Sequence, residues 1–199
     1  MRYASTVGTY PPEGVPEQTG RKKALCIGIN YLERSQAHAQ LSGCIKDALR
    51  INGFLLNHWR SGGRGAIEIK ILKDDSKKAD QIPTRNNIVK AMRWLVKDAL
   101  PGDSLFFHYS GHGGQIPDTN GDEDDGYDEV IYPVDPGSHI LDDDMHDLMV
   151  KPLPPGCRLT VRRTSVYTLG MHLTSTLFYQ AIFDASFEYT LNFRFALTA

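Results

Sequence analysis

Apolar and polar positions alternate along this chain with two distinct periods. Ala24 to Ile29 is a short apolar run closed by Gly28 and Asn30, the pattern of a buried strand. Across Gly43 to Arg60, Ile45, Leu49 and Leu56, with Ala48, Leu55 and Trp59 beside them, recur at helical spacing and define a core-facing stripe that stops at Ser61-Gly62-Gly63. Ile67 to Leu72 alternates as a half-buried strand does, and the polar stretch Asp74 to Gln81 follows as a loop. Thr84 is placed to cap a helix in which Ile88, Met92, Leu95, Val96 and Ala99 share one face until Pro101-Gly102. Leu105 to Tyr109 is a third apolar strand, Glu129 to Val134 a fourth, and Asp142 to Val150 a short helix with an acidic start.

Strands alternating with helices imply a parallel sheet with right-handed crossovers. In open sheets of this kind ligands sit beyond the carboxyl ends of the strands, which singles out Ser110-Gly111-His112-Gly113-Gly114 after the third strand. The pattern predicts a glycine-rich loop there, with an exposed imidazole suited to general-base work. Ser110 and His112 share one face of an extended segment, because side chains alternate with period two.

Composition narrows the classes. Length and core content fit one α/β domain, and no apolar run is long enough to span a membrane. The first 21 residues hold Pro11, Pro12 and Pro16 without an apolar stretch, so they read as a flexible leader and not a signal peptide; a cytoplasmic setting follows, with the nucleus as the alternative. Cys26, Cys44 and Cys157 form neither a disulfide framework nor a zinc pattern. A formal charge of −2 argues against a nucleic-acid partner. The average hides an asymmetry, because 12 of the 24 acidic residues and no Lys or Arg lie between Asp118 and Asp147, a stretch that must attract cations.

Four runs carry a specific likeness: ALCIGINY (Ala24 to Tyr31), LSGCIKDA (Leu41 to Ala48), FFHYSGHGGQIPDTNGDEDDGYDEVIYPVD (Phe106 to Asp135) and ILDDDMHDL (Ile140 to Leu148). Together, over residues 22–160, they resemble type I metacaspases, those of fungi above all. The resemblance implies a caspase-like three-layer α/β sandwich with a mainly parallel sheet, here incomplete at its C-terminal side. It also implies a cysteine–histidine dyad that cleaves peptides or proteins after Arg or Lys, often with calcium dependence. By position His112 matches the dyad histidine and the Gly113 N–H one oxyanion donor, while Asp47, Ser110 and Asp184 match residues that receive the basic side chain. Asp128, Asp142 and Asp143 match calcium-binding carboxylates, a chemistry that suits a cation taking six to eight oxygens. A competing pattern sets Asp118, Asn120, Asp122 and Glu129 at positions 1, 3, 5 and 12 of an EF-hand loop, but Glu123 stands where the loop needs glycine.

Residues 161–199 depart from the family. After Arg158-Leu159-Thr160 the expected strand is interrupted by Val161 to Gln180, which has no Asp or Glu, and resumes at Ala181 to Asp184. Ser186 then stands at the nucleophile's position, 74 residues after His112, or 54 with the interrupting segment set aside, against about 50 in caspase-type enzymes. The segment reads as a retained intron kept in frame, and the whole tail is expected to pack poorly. No cysteine follows Cys157. The smaller C-terminal portion of the family fold has no counterpart in this sequence. The resulting expectation is a metacaspase domain inactive as written, with weak calcium binding. Two alternatives stand beside it: a non-catalytic binding or regulatory fragment whose partner is an active relative, and a nonproductive splice product.

Overall fold

The computed structural model describes residues 20–33, 40–59, 67–119, 126–169 and 173–184, with side chains up to Thr164. The elements are β1 (Lys22–Gly28), α1 (Cys44–His58), β2 (Glu68–Lys73), α2 (Arg85–Val96), β3 (Ser104–Pro117), β4 (Tyr127–Ile131), β5 (Ile140–Leu141), α3 (Asp142–Met149), β6 (Arg158–Leu169) and β7 (Leu173–Asp184). Thr84 caps α2 as its position predicts, its hydroxyl accepting from the Asn87 N–H at 3.2 Å. No described helix is long and apolar enough to cross a membrane.

The sheet runs β2-β1-β3-β4-β5, and β6 pairs with β3 and then with β7. Alternation along β1 sorts its side chains onto two cores. Leu25 and Ile27 pack with Leu105, Phe107 and Tyr109 of β3 under α2, whereas Ala24 and Cys26 pack with Ala48 and Leu55 of α1. The result is three layers, with α1 on one face of the sheet and α2 and α3 on the other. Gly28 permits the close docking of α1: a Cβ there would meet the Cys44 carbonyl oxygen at 2.5 Å and the Ile45 Cα at 2.8 Å.

Two expectations are corrected along β3 and β6. The apolar run at Leu105 does not end at Tyr109, since β3 continues through the glycine-rich segment to Pro117. It does so by changing partner. Ser104 to Ser110 pair in parallel with β1, and Gly113 to Pro117 pair antiparallel with β4. The expected interruption after Thr160 is also absent: β6 runs on to Leu169, parallel to β3 as far as Gly113 opposite Tyr167. Val161 packs against the main core, and Arg163 and Thr164 are buried. The strand expected at Ala181 to Asp184 is the end of β7. The leader, expected over residues 1–21, falls outside the described residues up to 19; Gly20 and Arg21 are tied down, the Gly20 N–H by the Gly102 carbonyl and Arg21 by the Asp103 carboxylate at 3.0 Å.

Candidate active site

His112 lies where β3 passes from one partner to the other. Its ring is buried, not open to solvent as a loop position would leave it, and rests against the Tyr31 ring with centroids 4.5 Å apart. The His112 N–H donates to the Tyr31 hydroxyl at 2.9 Å, and its carbonyl accepts from the Tyr109 hydroxyl at 2.7 Å and from the Tyr132 N–H at 3.2 Å. The Tyr31 hydroxyl in turn donates to the Tyr132 carbonyl at 2.6 Å. Burial, then the neighbouring Tyr31, pushes the Tyr109 hydroxyl well above the usual phenol range, so it stays a donor. Gly111 makes room for the two phenols, because a Cβ there would lie 2.5 Å from the Tyr109 hydroxyl. Gly113 is sheet backbone opposite Ile131 and Tyr167, not part of the loop that the glycines suggest.

Of the three residues expected to receive a basic side chain, the fold brings two together. The Ser110 hydroxyl donates to Asp47 of α1 at 3.5 Å, and Asp47 is half-exposed with Arg50 also at 3.5 Å. Asp184 is not with them. In the β7 register it stands opposite Arg158, the end of β6 that pairs with Ser104, whereas His112 is opposite Val166. Eight strand residues separate the two levels, roughly 26 Å.

The cysteines are all buried. Cys26 sits opposite His108 on β3, and burial pushes its thiol up to about 12. Cys44 lies beside Ser110; burial raises its thiol, against a smaller lowering by the Ser110 hydroxyl. Cys157 immediately precedes β6, at the end remote from His112. His108, which the sequence reading did not single out, is buried and pushed down to about 4 by burial and then by Arg162, so it stays neutral near pH 7.

The acidic segment divides. Asp128 is buried on β4, and Glu129 next to it points to the opposite face. Burial raises the Asp142 carboxyl to about 6, with Glu129 and Asp143 adding to the rise and Arg163 opposing it. Arg163 holds Glu129 at 3.2 Å and donates to the Val130 carbonyl at 2.8 Å. Arg85 meets Asp144 at 3.5 Å, and Lys151 meets Asp147 at 2.7 Å. Among the described residues no three His, Cys, Asp or Glu side chains gather as a metal-holding group, so Asp128, Asp142 and Asp143 do not close into one site there. The EF-hand alternative is corrected. Residues 120–125 lie outside the described residues, but their flanks are the paired strands β3 and β4, with the Asp118 N–H donating to the Gly126 carbonyl, where an EF-hand has helices.

The mainly parallel sheet, helices on both faces and a histidine at the strand exchange define a caspase-like α/β sandwich. Residues 22–171 match the metacaspase, peptidase C14 domain family. The chain is 60% identical over 144 residues to Metacaspase-1 of Cryptococcus neoformans var. neoformans serotype D, covering 71% of this chain and 30% of that protein. It is 56% identical over 159 residues to Metacaspase-1A of Aspergillus niger, covering 77% and 38%. Protein GSU0716 from Geobacter sulfurreducens has a similar fold, with a TM-score of 0.56 at 26% identity over 75% of this chain and 52% of that one. This chain belongs to the metacaspase family, and the alignments span about a third of the length of the curated relatives it matches.

Proposed function

We propose that this chain carries the histidine half of a cysteine-peptidase centre directed at peptides with Arg or Lys, and that by itself it does not turn over. In such a centre the imidazole takes the proton of a thiol that attacks the peptide carbonyl, a backbone N–H stabilises the oxyanion, and the imidazole returns the proton to the leaving amine. The carrying observation is that His112 is held by a closed set of bonds while every thiol is buried and two are raised away from the reactive thiolate. The Asp47–Ser110 pair supports a basic side chain as ligand, since a guanidinium leaving water needs a carboxylate partner. That pair beside an imidazole without a reactive thiol equally supports a binding or regulatory role.

Calcium is proposed as a weak ligand of the acidic segment, with Asp142 and Asp143 as its carboxylates. Turnover of Arg- and Lys-containing fluorogenic peptides, with and without millimolar calcium, tests the main reading. The expected rate is background; hydrolysis abolished by His112→Ala would overturn it.

A further inference from the structure

We infer that Tyr31 is a positioning residue for His112, its hydroxyl inserted between the His112 N–H and the Tyr132 carbonyl where β3 changes partner. The observation is one of topology. On one side of β3 the ladder with β1 ends at Ser110, whose carbonyl still accepts from the Ile29 N–H at 2.9 Å, and the ladder with β4 begins at Gly113. The backbone groups of His112 face that gap, because residues two apart along a strand direct their N–H and C=O to the same side. A buried N–H without a partner is costly.

Each phenol has one proton to give. Tyr31 gives its own to the Tyr132 carbonyl and accepts the His112 N–H, and Tyr109 gives its proton to the His112 carbonyl. Tyr31 therefore relays the His112 N–H to the Tyr132 carbonyl, beside the direct bond from the Tyr132 N–H to the His112 carbonyl at 3.2 Å. Its backbone is in the left-handed region, at φ 57°. That conformation is uncommon for a residue other than glycine. The same side chain lays its ring on the imidazole at 4.5 Å, so one residue fixes both the backbone and the ring of His112.

The inference rests on His112 being the base of the centre proposed above, but its test does not depend on turnover. Tyr31→Phe keeps the ring and deletes the hydroxyl, and Tyr31→Leu deletes both. Amide exchange and imidazole proton shifts are measured by NMR on the whole chain. In Tyr31→Phe the His112 amide should exchange faster by a factor on the order of ten to a hundred. Leu105 and Phe107 should keep their protection, and the imidazole its ring-current shift. In Tyr31→Leu that shift should vanish as well. Equal acceleration of all β3 amides in Tyr31→Phe would reveal a merely structural tyrosine and overturn the inference, as would unchanged exchange at His112. If Tyr31→Leu does not fold, the Tyr31→Phe pattern alone decides. Failure of the peptidase reading would appear in the turnover assay and leave the exchange pattern as measured.

Discussion

The surroundings of His112 and the acidic segment from Asp118 to Asp147 are built on opposite plans. Around His112 a few uncharged groups meet in directed bonds of 2.6 to 3.2 Å, packed so closely that Gly111 has no room for a Cβ. In the acidic segment the described ion pairs reach cations elsewhere in the chain: Arg85 of α2, Lys151 after α3 and Arg163 of β6. Directed bonds in a packed interior fix one geometry, whereas screened charge pairs at a surface tolerate many. The first plan suits a residue that must hold an imidazole; the second suits loose attraction of a cation.

Two glycine substitutions should break that comparison most visibly. In Gly111→Ala the new Cβ must displace buried phenols, so a loss of about 3 kcal/mol is expected. For a chain of this size that is a fall in melting temperature of roughly 6–12 °C. Gly126, beside the acidic hairpin, has φ +75° and nothing within 4 Å of an added Cβ, so Gly126→Ala should cost only about 1 kcal/mol from its backbone conformation. Equal thermal shifts for the two would show that the packing around His112 is no tighter than that of the hairpin.

Arg163→Met comes next. It removes a guanidinium whose side chain is 8% exposed, leaving Glu129 at 32% exposure without its ion pair and the Val130 carbonyl without its side-chain donor. A fully buried pair broken on one side costs about 3–5 kcal/mol, and the partial exposure of Glu129 reduces this to about 1–3 kcal/mol. Chemical denaturation measures it. Because Arg163 lies in the segment expected to pack poorly, a change below about 0.5 kcal/mol would restore the expectation that β6 past Thr160 adds nothing to the fold.

The same residues show what was legible in the sequence and what was not. α2 could be read because its cap and its apolar stripe are local. The Ser-Gly-His-Gly-Gly run reads as a loop, since three glycines in five residues look like a turn; a strand there depends on β4 and β6, which are remote in sequence. Asp47 and Ser110 meet because α1 docks over Gly28, whereas Asp184 does not join them because β7 carries it antiparallel to the far end of β6. Tyr31 gave no signal, as a tyrosine after Gly-Ile-Asn reads as the start of a loop. Its role exists only where β3 changes partner.

A smaller effect should appear with pH, through His108. Its imidazole is pushed down to about 4 from an ordinary 6.5, so between these values the unfolded chain binds more protons than the folded one. Stability is therefore complete above about 6.5 and is lost as pH falls toward 4, by on the order of 1–2 kcal/mol at pH 5. Asp142 acts in the opposite sense. Its carboxyl is raised to about 6 from 3.8, so its contribution falls as pH rises through that interval. Comparing parent with His108→Leu across pH 4–7 cancels the Asp142 part. Parallel stability curves for the two would show that His108 is not held neutral by its surroundings.

Calcium should give the smallest effect, because the acidic segment already has cations of its own. Affinity for calcium follows the number and rigidity of charged oxygens, and among the described residues no three acidic side chains gather as a metal-holding group while Arg163 and Arg85 draw on the neighbouring carboxylates. Binding is expected near the weak end of the known range, roughly 10⁻⁴ to 10⁻³ M. At the weaker limit, several millimolar calcium would raise stability by about 1 kcal/mol. Asp142→Ala combined with Asp143→Ala should abolish that rise. Asp118→Ala should leave it, since Asp118 sits at the hairpin, where its backbone N–H donates to the Gly126 carbonyl. Arg163→Met should steepen the response, because a divalent ion no longer competes with a tethered guanidinium. Titration calorimetry on the four proteins reads all three comparisons. Loss of binding in Asp118→Ala with retention in the Asp142/Asp143 double variant would move the site into the hairpin. An unchanged affinity in Arg163→Met would mean that Arg163 braces β6 against β4 and takes no part in holding cations away from the acidic segment.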